Sequence, residues 1–433
     1  MGLNLGKNKV LNKIYLLIEY TFKVFIFLIP SQLAIHFWPK WAYIFGIRID
    51  YFSPTIYLSD ILIFVLLILW LGSILLSRRK ISIKTPRTLW MLLIFSIVNI
   101  AFALNPYLAL YKWLKIAEFI ILGLFLIEYE KIKIKEWIIL PLSYSVIFFT
   151  FLGIAQFFKG GTLGGFFYLL GERNFNLATP GISLIDILGR EYLRAYSTFP
   201  HPNSLAGFMG LSLLFLLLLK VKVNKPLFIT TLIFASLGIL FSFSKTVFIA
   251  IFVIFLVYQA LKRIKQNNLW EKPAVLLIVT VSLLSIPLSE YFLKGNIAFN
   301  YSILQKQNIN ERIVLTGSSS QIIKSNQILG VGIGNFINAL KRLAGKEWIM
   351  QPVHNIFILI FAETGIIGLI IAYLFIMKLF RNSTSFILVL FILITGYFDH
   401  YWLTIQQNLL IETLVIAMIL RKDNNIFLKP KKT

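Results

Sequence analysis

Cysteine is absent from this 433-residue chain, which excludes disulfides, thiolate metal sites and cysteine nucleophiles together. Acidic residues are scarce: 18 Asp and Glu stand against 42 Lys and Arg. No Asp-x-Asp occurs anywhere, and no loop carries the acidic cluster that a divalent cation needs. Charge of either sign is low, at 14% of residues, whereas 58% are hydrophobic. No soluble domain could bury that much apolar surface, so the composition is that of a polytopic membrane protein. Nothing near the start resembles a signal-peptide cleavage site, and the first apolar span is expected to be retained.

Twelve apolar spans of membrane-crossing length can be read, from about 15–35 to about 403–420, the ninth near 273–290. Alternate connections between them are basic, as in Arg78, Arg79, Lys80, Lys84 and Arg87, or Lys262, Arg263, Lys265 and Lys272. Such connections hold 25 of the 42 Lys and Arg residues. The positive-inside rule then places them, and both termini, in the cytoplasm. Topology accounts for most of the +24 formal charge, and no nucleic-acid partner is needed to explain it.

The remaining basic residues concentrate in two long outward loops, 159–203 and 291–353. The longer one, 291–353, carries Lys294, Lys306, Arg312, Lys324, Lys341, Arg342 and Lys346 against Glu311 and Glu347, a net +5. It ends in Pro352-Val353-His354-Asn355 as a new apolar helix begins. A polar loop of this length is usually functional or disordered. A cationic loop ending in histidine at a membrane surface points to an anionic lipid-linked substrate and proton-transfer chemistry. Helices are expected near Glu311 to Asn326 and Asn335 to Ala344, and short amphipathic helices around Leu184 to Leu193, all lying along the membrane.

The first loop ends in Arg194-Ala195-Tyr196-Ser197-Thr198-Phe199-Pro200-His201-Pro202-Asn203. Its prolines hold the backbone extended, and Asn203 or Ser204 is expected to cap the helix that follows. Two readings of Arg194 stand side by side. It is a topogenic arginine at a helix entry, or a guanidinium fork that grips phosphate oxygens.

Five short patterns occur in order: Arg194-Ala195 with Thr198-Phe199, Pro202-Asn203 and Leu205-Ala206; Ser242-Phe243-Ser244-Lys245; Glu311-Arg312 before Gly330-Val331-Gly332-Ile333-Gly334-Asn335-Phe336; His354-Asn355 with Glu363-Thr364-Gly365 and Gly368; and Asp399-His400-Tyr401. Across about 190–401 they resemble the signatures of the O-antigen ligase and O-antigen polymerase superfamily. Lys245 stands where that family carries arginine, so the charge is kept and the fork lost.

The resemblance implies an all-α polytopic membrane protein of about twelve transmembrane helices with two long extracytoplasmic loops, GT-C-like. It implies a bacterial inner-membrane glycosyltransferase that moves a glycan from undecaprenyl diphosphate to an acceptor hydroxyl on an extracytoplasmic face. The transfer is expected to be inverting and metal-independent, with no cofactor and with basic side chains doing what a cation would do. His354 is the expected base or acceptor-orienting group. Arg194, Lys245 and Arg312 would clamp the diphosphate. Secondary candidates are Lys115, Asn203, Asn355, Asp399 and His400. Partners would be the lipid-linked donor, an acceptor glycolipid such as lipid A-core or another glycan, membrane lipid and a chain-length regulator.

Other readings of the same residues remain open. A polymerase or a protein O-oligosaccharyltransferase would differ in acceptor. A lipid-linked glycan transporter would need its ionisable groups at mid-membrane. His201 reads as structural, His400 as part of a packing network or a general base, and His36 as incidental. Lys115 and Glu118 can pair across one helix turn, or Lys115 can reach lipid phosphate. The glycine run reads as a tight turn rather than a nucleotide fingerprint. Glu363 is expected to make a packing hydrogen bond, with Gly365 and Gly368 permitting close approach.

Overall fold

A computed structural model describes residues 2–77, 87–219, 224–263, 303–343, 349–380 and 383–421. The ninth expected span, near 273–290, and the basic residues Lys294 and Lys346 lie outside them. The described chain is chiefly helical. Helices α1 (Gly2–Leu28), α2 (Leu58–Ser77), α3 (Arg87–Ala101), α4 (Pro106–Glu128) and α5 (Leu140–Lys159) come first. They are followed by α6 (Pro202–Leu218), α7 (Lys225–Ser242), α8 (Lys245–Arg263), α9 (Ile303–Ser325) and α10 (Phe336–Leu343). The chain ends in α11 (Ile356–Leu379), α12 (Ser383–Phe398), the single turn α13 (Tyr401–Thr404) and α14 (Gln406–Leu420).

Four of these are both long and apolar enough to cross a bilayer: α2, the stretch 134–159 that ends in α5, α7 and α11. Shorter apolar helices coincide with α3, α6, α8, α12 and α14. Helix α4 has the length but carries Lys112, Lys115 and Glu118. The chain is an all-α membrane protein in class.

Burial identifies the centre of the bundle. Almost every residue of α6 is buried on all sides, as expected of a helix that is apolar all round. Around it α1, α4, α5, α12 and α14 contribute Phe22, Phe125, Phe149, Phe391 and Ile411 to one apolar core. A second core lies at the end where the site is found. There Ile44, Ile49 and Phe52, from the segment between α1 and α2, meet Leu315 of α9, Phe336 and Ile337 of α10, and Ile358 of α11.

Two local expectations are overturned. Leu184 to Leu193 forms no helix; it is an antiparallel hairpin of strands Leu184–Ile187 and Arg190–Leu193. Its two-residue turn, Leu188 and Gly189, has φ of 55° and 79°, the left-handed pair of a tight hairpin turn. Asp186 closes the turn by accepting from the Gly189 N–H at 3.0 Å. The second correction concerns α6, which starts at Pro202 and is capped by His201 rather than by Asn203 or Ser204. Proline at the first helical position leaves no unmet N–H, and its fixed φ suits the helix.

Gly365 also departs from expectation. It permits the expected close approach, but by breaking α11, with φ 63° and ψ −168°. The backbone groups freed by the break find partners in Gln327 and in the glycine run. Val331 N–H donates to Ala362 O at 3.0 Å, Gly332 N–H to Glu363 O at 2.9 Å, and Ile366 N–H to Gln327 O at 2.8 Å. A Cβ on Gly330 would overlap the Glu363 backbone, and one on Gly365 would overlap Ile328 O. Glycine at both positions lets two backbones meet where an interrupted membrane helix must be re-satisfied. Glu363 adds a side-chain bond, Oε1 accepting from Phe336 N–H at 3.2 Å. Asn99 of α3 donates to Leu329 O and Glu363 O and accepts from Ile333 N–H, at 3.0, 3.1 and 3.0 Å. Helices α9 and α10 are thereby docked onto α3, α4 and α11.

Candidate active site

The site is built where the start of α6, the start of α11 and the end of α12 converge. His201 heads α6 in extended conformation, its Nδ1 accepting from Asn203 N–H at 3.1 Å and its Nε2 lying 3.1 Å from Ser183 Oγ. Accepting at Nδ1 requires a neutral ring.

The cap turns the Asn203 side chain toward a chain of polar contacts. Arg194 donates from Nε to Ser242 O at 2.7 Å and from Nη2 to Asn203 Oδ1 at 2.8 Å. Burial lowers its pKa to about 10, and the guanidinium stays charged at neutral pH. Asn203 passes the chain on, Nδ2 donating to Asp399 Oδ2 at 3.1 Å. The other carboxylate oxygen, Oδ1, accepts from His400 N–H at 2.8 Å.

Asp399 and His400 lie just beyond the last residue of α12. Burial alone would raise the Asp399 pKa, but the histidines around it outweigh burial and hold the carboxyl well below its ordinary range. His400 is buried, which pushes its pKa down to about 3. Its Nδ1 is 2.8 Å from Thr404 Oγ1.

His354 completes the cluster from the third side. Asn355 caps α11, accepting from Phe357 and Ile358 N–H at 2.9 and 3.2 Å, and so fixes His354 immediately ahead of the helix. His354 Nδ1 faces Asp399 Oδ1 at 3.6 Å, an ion-pair distance and too long for a hydrogen bond. That nitrogen is buried and makes no hydrogen bond among the described residues. The imidazoles of His354 and His400 stack, centroids 5.1 Å apart and planes 21° off parallel. His354, Asp399 and His400 each bring one ligand atom within 4.8 Å of the others, the one trio among the described residues spaced to hold a metal ion.

The structure therefore brings together Arg194, Asn203, His354, Asp399 and His400, with Asn355 as a cap. Lys245 is exposed at the first turn of α8, three residues past the Ser242 carbonyl that Arg194 holds. Arg312 is exposed on α9, and its charge adds to the burial that depresses His400. Lys115 belongs to a different cluster. It pairs with Glu118 at 3.2 Å and with Asp60 of α2, which also accepts from Gln406 of α14.

Two contributors escaped sequence reasoning. Tyr51 meets the His400 ring edge-on at 5.7 Å, and Thr404 holds His400. Neither lies in a recognisable pattern. Arg173, one of the basic residues of loop 159–203, donates from Nη2 to Pro200 O at 2.7 Å.

No curated protein matches the chain. Residues 230–373 match a family model described as O-antigen ligase. That stretch includes Lys245, Arg312, the glycine run, His354 and the break in α11 at Gly365, whereas Arg194, Asn203, Asp399 and His400 lie to either side of it. The match indicates activity of the O-antigen ligase or polymerase type and, with the apolar helices, a membrane location. Over residues 230–373 the chain is therefore similar to the O-antigen ligase family.

Proposed function

We propose that this chain transfers a glycan from undecaprenyl diphosphate to an acceptor hydroxyl, as an O-antigen ligase with lipid A-core or a similar glycolipid as acceptor. The observation that carries the reading is that His354 Nδ1, with no hydrogen-bond partner among the described residues, faces the Asp399 carboxylate, which Asn203 links to Arg194. In the reaction the acceptor oxygen attacks the anomeric carbon as the bond to the diphosphate oxygen breaks. The acceptor proton passes to His354 Nε2, and the electron pair leaves on the diphosphate. Asp399 then stands beside the imidazolium that forms, in the role a buried carboxylate plays toward a catalytic histidine. One displacement inverts the anomeric centre.

The leaving group is already an anion, so it needs neutralisation more than protonation. Arg194 commits two N–H donors to the protein, leaving three of the five guanidinium N–H groups unbonded among the described residues. Lys245 and Arg312 supply point charge and fork around the same mouth. A polymerase would use the same groups and differ in taking a second lipid-linked glycan as acceptor.

The test is transfer by the purified protein from a defined undecaprenyl-diphosphate glycan, with lipid A-core and a second donor molecule offered separately. Transfer in the presence of a chelator is expected, and the acceptor used distinguishes ligase from polymerase. A strict divalent requirement would overturn metal independence and turn the His354, Asp399 and His400 trio into a ligand set.

A further inference from the structure

The segment between α1 and α2, residues 29–57, carries none of the family-like motifs, yet it forms one side of the histidine cluster. It is anchored rather than draped. Strand Ala34–His36 pairs with Thr55–Tyr57, and Ile49 and Phe52 are buried in the second core. Between those anchors Tyr51 presents its ring edge-on to His400, with centroids 5.7 Å apart and planes at 76°. Since His400 stacks on His354, the three rings form one continuous column ending at the base.

The chemistry beside that column differs from the clamp. Asp50 is exposed, and its charge is felt at Tyr51 and at Arg173, the arginine bonded to the carbonyl next to His201. Burial, with Asp399 and Asp50 adding to it, raises the Tyr51 pKa above the ordinary tyrosine value. Its hydroxyl is thus a hydrogen-bond donor throughout the neutral range. A carboxylate here repels a diphosphate, so this rim is unsuited to the donor's charged end. An aromatic ring, a phenol donor and a carboxylate acceptor suit a sugar, whose C–H face packs on aromatic surface and whose hydroxyls both donate and accept.

We infer that Tyr51 and Asp50 form the acceptor-sugar subsite, Tyr51 contacting the sugar whose hydroxyl is delivered to His354. The inference rests on the transferase reading and adds to it the surface that chooses the acceptor.

Initial rates at varied acceptor with saturating donor, and at varied donor with saturating acceptor, test it in wild type, Tyr51→Ala, Tyr51→Phe and Asp50→Asn. Tyr51→Ala is expected to raise the acceptor KM about tenfold, the equivalent of about 1.4 kcal/mol, with the donor KM unchanged. Tyr51→Phe and Asp50→Asn, which keep shape and remove a hydroxyl and a negative charge respectively, should raise it several-fold. Acceptor KM at the wild-type value in Tyr51→Phe and Asp50→Asn overturns the subsite even if Tyr51→Ala does not fold. Donor and acceptor KM rising together in all three also overturns it, because the segment would then shape the whole site. If the wild type transfers and His354→Ala does not while the acceptor KM is insensitive to Tyr51, the subsite alone is wrong. A wild type that transfers to no acceptor overturns both readings.

Discussion

Asp399→Asn is expected to slow glycan transfer by about 10²- to 10⁴-fold while the donor lipid binds as before. The substitution is nearly isosteric, so packing is retained and the electrostatic role is isolated. Asp399 now accepts from Asn203 on one oxygen and from His400 N–H on the other. An amide has one acceptor oxygen, so one of these donors would face an NH2 group. The larger loss comes during reaction, when the proton reaches His354 and its imidazolium has no carboxylate 3.6 Å away. Single-turnover transfer from preloaded donor, with donor binding measured in parallel, checks this. Transfer within a few-fold of wild type would reduce Asp399 to a packing residue.

Arg194→Ala should cost about 10²- to 10³-fold in transfer and weaken donor binding as well. Two effects combine. The leaving diphosphate loses a charged fork, and Ser242 O and Asn203 Oδ1 lose the group that ties α6 to the tip between α7 and α8. Leaving those buried acceptors unmet costs about 1–3 kcal/mol in stability, visible as a lower Tm. Arg194→Lys separates the effects, because it keeps the charge and cannot bridge both acceptors with a planar fork. An intermediate rate with donor KM still raised is the expected result. Wild-type kinetics in Arg194→Lys together with a normal Tm would remove the fork from the account.

The helices were legible because apolar runs of bilayer length have few alternatives. Arg194, Asn203, His354, Asp399 and His400 were each found through short patterns. Their assembly through one polar chain was not, since nothing in residue order says that position 203 meets position 399. Tyr51 was missed for a related reason. One aromatic among Trp38, Trp41, Tyr43, Phe45 and Phe52 has no period or motif to mark it. Asn99 reads as a stray amide in an apolar helix until its partners Leu329, Ile333 and Glu363 are seen.

The misread elements are those where local signals are ambiguous. Leu184 to Leu193 is short and apolar enough to suit either period, and the turn at Leu188 and Gly189 decided for a hairpin. Gly365, followed by Gly368, looks like a packing stripe; the contacts from Gln327 to Gly332 are what turn it into a helix break. His201 reads as structural in the sequence, and its work as the cap of α6 became visible only with the backbone.

The most direct test of the central claim is glycan transfer by purified His354→Ala, with donor binding and transfer by His400→Ala measured beside it. The account predicts that His354→Ala binds the undecaprenyl-diphosphate donor normally and loses about 10²- to 10⁴-fold in transfer, with a smaller loss in His400→Ala. Unchanged transfer in His354→Ala, or a larger loss in His400→Ala, would contradict it and move the base from the head of α11 to the end of α12.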